Sequence, residues 1–398
     1  PARPPPSPGQ NSISRLHGGA RVNGERALVT GGAGLIGSHL VDLLVTTGWR
    51  VRSLDNLEPQ THAGKPAHLN PEAEFIHGDV RDPDAVARAL VGIDVVFHQA
   101  AYGGYMPEVA KFMDVNTVGT ARILEHIRDR RLPVRKVVMA SSQAVYSEGA
   151  TFCSEHGLQF PLARGARQLE RGDFEVHCPV CDGPSTPAPT PENAPAGGEN
   201  TYAVSKYAQE RLALAWGLHG NIPVVPLRYS CTYGPRQSLR NPYPGVIAIF
   251  VTRILNGLPP LVYEDGRQTR DLTYVGDIAR ANLLAADGTA WDGRPVNIGS
   301  GRATSMLELA SLLCARLDPS IEPLLSGEYR SGEMRALVAD ISRARAGGYQ
   351  PIVDLRRGLD AYLQWASGQE DVVERFSAAA ERLRATGMVR RTGMGVSA

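Results

Sequence analysis

Tyr202 and Lys206 stand four residues apart in the run Asn200-Thr201-Tyr202-Ala203-Val204-Ser205-Lys206. On a helix that spacing stacks a phenol and an ammonium on one face. Far upstream lies a glycine-rich stretch, Thr30-Gly31-Gly32-Ala33-Gly34-Leu35-Ile36-Gly37. Glycines spaced like this, after a strand and opening a helix, permit a tight turn and close approach of backbone to a pyrophosphate, while helix N–H groups bind the anion. Together the two features describe proton and hydride transfer at an alcohol carbon, with the phenol as acid/base and the dinucleotide as hydride acceptor. The chain holds only four lysines (Lys65, Lys111, Lys136, Lys206) against 38 arginines. A lysine kept at 206 fits a proton relay, because arginine does not release its proton. An exposed helix face is the alternative for the pair, and the glycine loop argues against it.

The elements that must position these groups alternate. Short strands are expected at 27–29, 49–54, 75–76, 94–97, 137–140 and 224–225, with helices from the glycine loop to Thr47, over 107–130 and around Tyr202. This β-α rhythm predicts an α/β, doubly wound parallel sheet whose carboxyl edge carries the ligand crevice. Asp55 ends the second strand, where a carboxylate accepts hydrogen bonds from the ribose hydroxyls of NAD and repels the extra phosphate of NADP. Its other reading is a turn cap, and Arg50 and Arg52 leave room for NADP. Gly78-Asp79-Val80 reads as an adenine-edge contact or as the cap of a helix over 83–90. Residues 25–235 form the expected NAD-binding domain. Beyond Pro235, proline and glycine become frequent and helices are expected at 246–256, 277–286, 305–317 and 355–366, giving a smaller, mainly substrate-binding lobe over 236–387. The leader, 1–24, rich in Pro, Gly, Ser and Arg, is expected to be disordered, and 388–398 to be a loose tail.

The formal net charge of +1 supplies no field that would favour nucleic acid or a membrane surface. No apolar run reaches the roughly 18 residues a membrane helix needs. A disulfide scaffold is not expected, and a cytoplasmic location is the default.

Residues 149–195 break the alternation and hold three of the five cysteines. Cys153-x-x-His156 and Cys178-x-x-Cys181 each have the gap of a metal knuckle, and three thiolates with one imidazole suit tetrahedral zinc. Such a site folds a short insertion that cannot bury its own core. His177 is a rival fourth ligand, and free thiols or a Cys178–Cys181 redox pair are the alternatives. Arg164, Arg167 and Arg171 lie nearby, without the dense basic stripe and interleaved aromatics of a nucleic-acid module. Cys231 and Cys314 read as small buried residues.

The chain resembles the extended short-chain dehydrogenase/reductase superfamily, in its NAD-dependent nucleotide-sugar epimerase/dehydratase branch. The residues that carry the likeness are Gly31-x-x-Gly34-x-x-Gly37, Asp55, Gly78-Asp79-Val80, His98-Gln99-Ala100-Ala101, Asn116, Ser141-Ser142-Gln143-Ala144-Val145-Tyr146, Tyr202-x-x-x-Lys206, Arg228-Tyr229, Tyr233-Gly234-Pro235 and Arg270-Asp271-Leu272-Thr273-Tyr274-Val275-x-Asp277. The resemblance implies a Rossmann-type domain with a C-terminal substrate lobe, Tyr202 as acid/base, Lys206 holding the nicotinamide ribose, and Ser142 on the reacting hydroxyl. It also implies NAD contacts from Gly31, Gly34, Leu35, Ile36, Gly37, Asp55, Asn56, Asp79, Val80, Ala100, Ala101, Tyr102, Asn116, Ala140 and Tyr229. Gln143 and Cys231 would face the sugar, and Arg270 and Arg335 the substrate diphosphate, since guanidinium forks match phosphate oxygens. Sensors of this fold tend to lose the Tyr/Lys pair, which is kept here.

Sugar 4,6-dehydratases of this superfamily carry acidic residues just after the serine, needed to take a proton from C5. Gln143 and Ala144 stand there instead, which disfavours elimination and leaves oxidation at one carbon and return of hydride to the other face. The segment 147–183, with 102–107 and Gln143, is similar to epimerases that act on dTDP-L-rhamnose. A C4 epimerase of a nucleotide-diphosphate sugar, passing through a 4-keto sugar and assembled as a homodimer, is therefore expected, with an NAD(P)H-dependent 4-ketosugar reductase as the rival. Stoichiometry separates them, because only the reductase consumes external cofactor.

Overall fold

The structure, a computed structural model, describes residues 24–104, 108–241, 245–370 and 372–393. Most of the expected leader, part of the 102–107 segment and the last five residues lie outside that set.

Strands β1 (Arg26–Thr30), β2 (Arg50–Asp55), β3 (Glu74–His77), β4 (Val95–His98), β5 (Lys136–Ser142), β6 (Val224–Tyr229) and β7 (Val296–Ile298) form one parallel sheet in the order β3-β2-β1-β4-β5-β6-β7. The chain reverses its progress across the sheet between β1 and β4, and ligands of doubly wound sheets sit outside the carboxyl ends at that switch point. The near-continuous apolar runs of β1, β4 and β5 follow from burial on both faces. Ala27 and Val29 point to one face, packing with Leu40, Leu44, Phe97, Ile278 and Ile298, while Leu28 points to the other, with Leu54, Val86, Val96, Ile123 and Met139. Helices α1 (Leu35–Thr46) and α5 (Val275–Asp287) cover the first face; α2 (Pro83–Leu90), α3 (Gly119–Asp129) and α4 (Thr201–Gly220) cover the second.

Two elements from beyond residue 235, β7 and α5, belong to the first domain. There β7 pairs with β6 and α5 packs beside α1, so the cofactor domain is completed by chain that also builds the second lobe. That lobe has its own core of Phe250, Val251, Leu309, Leu313, Leu359 and Tyr362. Its helices Val246–Leu255, Met306–Leu317 and Leu355–Ser367 fall close to the expected spans. The helix expected over 107–130 is interrupted: Val109–Phe112 leads into a π-helical turn, Met113–Val118, before α3.

Of the expected loose tail, residues 389–391 form a strand, and 394–398 lie outside the described residues. After the helix Phe376–Ala385, Val389–Arg391 pairs antiparallel with Glu328–Arg330. Glu328 is buried there, and its carboxylate receives the Arg384 guanidinium at 2.8 and 3.0 Å. A buried carboxylate needs such a partner, which draws the last segment onto the lobe.

In the insertion, Ala150–Cys153 pairs with both Gly157–Gln159 and Thr186–Ala188. Among the described residues no helix is long and apolar enough to cross a membrane.

Candidate active site

The turn after β1 is held open by its glycines. Gly31 has φ +68°, and a Cβ there would lie 2.7 Å from the Ala100 nitrogen. At Gly37 a Cβ would come within 2.0 Å of the Gly31 carbonyl oxygen, so only glycine lets α1 begin against the loop. Asp55, at the end of β2, accepts the Ala33 N–H at 2.9 Å and the Leu57 N–H at 2.8 Å. It therefore caps a turn and also faces the cleft, with lone pairs left for hydroxyl donors. Arg52 is committed elsewhere, to Glu74 and to the carbonyls of Ala89 and Val91. Arg50 begins β2, at the opposite end from Asp55, so neither arginine serves a 2′-phosphate at Asp55.

A cleft of about 1050 Å³ runs along the carboxyl edge of the sheet. Gly31, Gly34, Leu35, Ile36, Gly37, Asp55, Asn56, Asp79, Val80, Ala100, Ala101, Tyr102, Ala140, Ser142, Tyr202, Lys206 and Tyr229 all line it. Burial opposes charge on Asp79, but hydrogen bonds from Arg81 and Asn56 hold its carboxyl down to about 2. Asn116, Gln143, Cys231, Arg270 and Arg335 are not among the residues that line the cleft. Asn116 lies behind it. Fully buried on the π-helical turn, it accepts the Tyr102 N–H at 2.8 Å and donates to the Tyr102 carbonyl and to Ser205, each at 2.9 Å. It thereby ties the loop after β4 to the residue preceding Lys206.

Asn200 caps α4, accepting the Ala203 N–H at 2.9 Å, and so sets where the helix starts and which face Tyr202 and Lys206 share. Tyr202 is raised by burial, against which a hydrogen bond with Ser142 works in the lowering direction. Ser142 itself accepts the Ala144 N–H at 3.1 Å. Lys206 donates to the Ala140 carbonyl. Burial pulls its ammonium down to about 7, with Glu210 opposing the shift. Beneath the pair, His98 bridges Thr30 and Thr120 at 2.7 and 2.8 Å, and burial together with Lys206 pulls it to about 3, a neutral ring at ordinary pH.

Sequence reasoning missed a second layer. Glu210, two turns after Tyr202, is buried and receives Arg228 at 2.6 and 3.0 Å and the Ser141 hydroxyl at 2.7 Å. Arg228 also donates to the Tyr146 hydroxyl at 2.8 Å. The i, i+4, i+8 series Tyr202, Lys206, Glu210 was the available signal. The Tyr229 hydroxyl lies 3.0 Å from Gln99 and from Asn282, a buried contact on α5 that no local motif announced.

Of the residues expected to face the sugar, Gln143 donates to the Cys231 sulfur at 3.2 Å, and burial pushes that thiol up to about 11. Arg270 pairs with Glu333, which also takes Arg330 at 2.9 Å. Arg330 in turn lies 5.4 Å over the Tyr263 ring. The two arginines thus bracket one carboxylate close to Cys231. Arg335, also expected at the diphosphate, has its guanidinium on Glu264 at 3.0 Å, Asp265 at 2.6 Å and Glu175 at 2.7 Å. Both terminal nitrogens of Arg335 are thus engaged by carboxylates.

The insertion brings Cys153, His156, Cys178 and Cys181 together, their donor atoms all within 4.8 Å of one another. Cys153 Sγ lies 3.6 Å from His156 Nδ1 and 3.8 Å from Cys181 Sγ, and Cys178 Sγ lies 3.7 Å from His156 Nδ1. Zinc–sulfur bonds of about 2.3 Å give a tetrahedron with edges of about 3.7 Å, so the donor set fits that ion. His177 instead meets Asp173 at 3.0 Å.

The chain is similar to known proteins along most of its length. Residues 27–163 and 181–299 match the model of the "NAD dependent epimerase/dehydratase family". A dTDP-L-rhamnose 4-epimerase of Burkholderia thailandensis is 34% identical over 366 residues, covering 88% of this chain and 97% of that protein. A dTDP-glucose 4,6-dehydratase of an Actinoplanes species is 30% identical over 353 residues, covering 85% and 97%. The solved UDP-glucose 4-epimerase of Thermotoga maritima, with UDP-glucose, superposes with a TM-score of 0.70 at 30% identity, covering 86% of this chain and 98% of that one. On the strength of the glycine loop, the Tyr202–Lys206 pair and these matches, the chain belongs to the NAD-dependent epimerase/dehydratase family.

Proposed function

We propose that the protein is an NAD-dependent epimerase of a nucleotide-diphosphate sugar that inverts C4 through a transient 4-keto sugar, with a dTDP-6-deoxyhexose as the first substrate to test. The observation that carries this reading is that Tyr202, Lys206 and Ser142 converge on the dinucleotide cleft, with Gln143 and Ala144 following Ser142 where elimination would need a carboxylate. The relatives named 4-epimerases support it, and Gln143 and Ala144 leave this chain without a carboxylate for elimination at that place. Cys231 and Gln143 offer the sugar a weakly polar wall, which suits a deoxysugar.

NAD, when bound, accepts the C4 hydride and returns it. Tyr202 takes the hydroxyl proton and gives it back, while Ser142 orients that hydroxyl. Lys206 stands one turn from Tyr202, where an ammonium favours the phenolate. Reduction from the opposite face requires the keto sugar to turn over while its diphosphate stays anchored. We assign that anchor to Arg270 and Arg330, with Glu333 giving way to the phosphates. The Cys153, His156, Cys178 and Cys181 donors would hold a structural zinc. A homodimer would show in light scattering as twice 42.8 kDa.

The test is to incubate the purified protein, without added cofactor, with dTDP- and UDP-sugars including dTDP-L-rhamnose, and to follow stereochemistry by NMR. A C4 epimer forming to equilibrium without net change at the NADH absorbance band is expected. Conversion only when NAD(P)H and a 4-keto sugar are supplied would overturn the reading in favour of a reductase.

A further inference from the structure

The insertion is bonded to the substrate lobe as well as to itself. Arg164, buried, pairs with Glu148 at 2.8 Å and Glu264 at 3.1 Å, and donates to the carbonyls of Phe174 at 2.8 Å and Glu333 at 2.7 Å. Glu148 reaches across to accept the Arg335 N–H at 2.6 Å, and Glu175 takes the Arg335 side chain. Further along, Thr190 donates to Val338 at 2.8 Å and accepts from Asp340 at 3.0 Å. These contacts grip both ends of the segment 333–340. That segment carries Glu333, the partner of Arg270 and Arg330, and its Ala336–Leu337 strand lies beside Thr269 and Arg270.

Arg164, Phe174 and Glu175 sit between the two halves of the cysteine cluster, on the loop that an ion bound to His156 and Cys178 would close. This loop has little core of its own. Leu169 and Val176 are buried, but Leu158 and Leu162 are exposed. A segment this poor in burial does not order itself without a tie. It is also where the family likeness lapses, since 164–180 lies outside the matched residues.

We infer that a zinc ion in the Cys153/His156/Cys178/Cys181 cluster, acting through Arg164, fixes the segment 333–340 and thereby sets the affinity for the nucleoside diphosphate part of the substrate, leaving the NAD site untouched. Arg164 is a positioning residue: it holds the Glu333 backbone and touches no ligand. This inference rests on the nucleotide-sugar reading above.

The experiment uses the full chain in three forms: loaded with Zn²⁺, stripped by chelator and then reloaded, and as the Cys181→Ser variant, whose exposed ligand is removed without disturbing packing. Metal content is measured by atomic absorption, dTDP and UDP binding by calorimetry, and NAD binding by fluorescence. Stripping is expected to weaken dTDP or UDP binding at least tenfold, to leave NAD affinity within about twofold, and to be reversed by Zn²⁺. Arg164→Lys, keeping its zinc, is expected to show the same selective loss. Equal diphosphate affinity with and without the ion overturns the inference, as does a parallel loss of NAD binding or a protein that takes up no zinc. If the zinc-loaded protein binds neither dTDP nor UDP, the nucleotide-sugar reading fails and takes this inference with it.

Discussion

At the residue scale, Lys206 is held where its charge is costly. Burial lowers its folded pKa to about 7, whereas an unfolded lysine titrates near roughly 10.4. Between those values the unfolded chain binds more protons, so the cofactor-free protein gains stability from this group as pH rises from about 7 to about 10. Below pH 7 the cost is fully present. Lys206→Met should flatten that rise, which thermal melts across the range would read; an unchanged slope would remove Lys206 as its source. Tyr202 supplies the matching catalytic prediction. Tyr202→Phe loses the proton carrier but none of the packing, so kcat should fall by about 10²–10⁴-fold with NAD still bound. A variant within tenfold of the parent would transfer the acid/base role to another group.

At the scale of elements, α4 works as a ruler. Tyr202, Lys206 and Glu210 fall on successive turns, and Glu210 pins the helix to β5 and β6 through Ser141 and Arg228. Breaking a buried pair by removing one charge costs about 3–5 kcal/mol. Glu210→Gln should lose that much in urea unfolding at pH 7, and a loss under 1 kcal/mol would reduce the pair to packing. The glycine loop gives the second element-level prediction. Gly37→Ala drives a methyl into the Gly31 carbonyl, so α1 must shift away from the pyrophosphate position. NAD affinity should fall by two orders of magnitude or more, measured by cofactor retention after desalting. Both motifs were legible in the sequence because their spacing is local. Glu210 was less so, since its partner Arg228 arrives from another strand.

For the whole molecule, the substrate lobe is assembled from segments distant in the chain. The insertion grips 333–340 from one side and the C-terminal strand Val389–Arg391 pairs with Glu328–Arg330 on the other. Arg384 neutralises buried Glu328, so Arg384→Ala should cost about 1–3 kcal/mol of stability and loosen Arg330. The expected signature is weaker dTDP binding with unaltered NAD binding, and an equal effect on both ligands would deny the lobe its independence. The sequence reading placed the diphosphate contacts at Arg270 and Arg335, the latter five residues past Arg330. Composition and spacing do not separate two arginines on one short segment. What separates them is that carboxylates from 175, 264 and 265 converge on Arg335.

By itself the sequence determined the β-α alternation, the glycine turn, the Tyr202–Lys206 face and the two cysteine gaps. Each depends on geometry set within one turn or one strand: helical periodicity, a positive φ, a two-residue knuckle. Tertiary structure alone decided that β7 and α5 return from beyond residue 235 to complete the cofactor domain. It turned Asn116 inward as a tie between loop and helix, turned Arg335 into a weld, and fastened the C-terminal segment to the lobe. Those outcomes rest on buried charges and unpaired backbone groups finding partners dozens to hundreds of residues away. Such pairings are settled by the cost of leaving a buried polar group alone, a cost that exists only once the chain has folded around it.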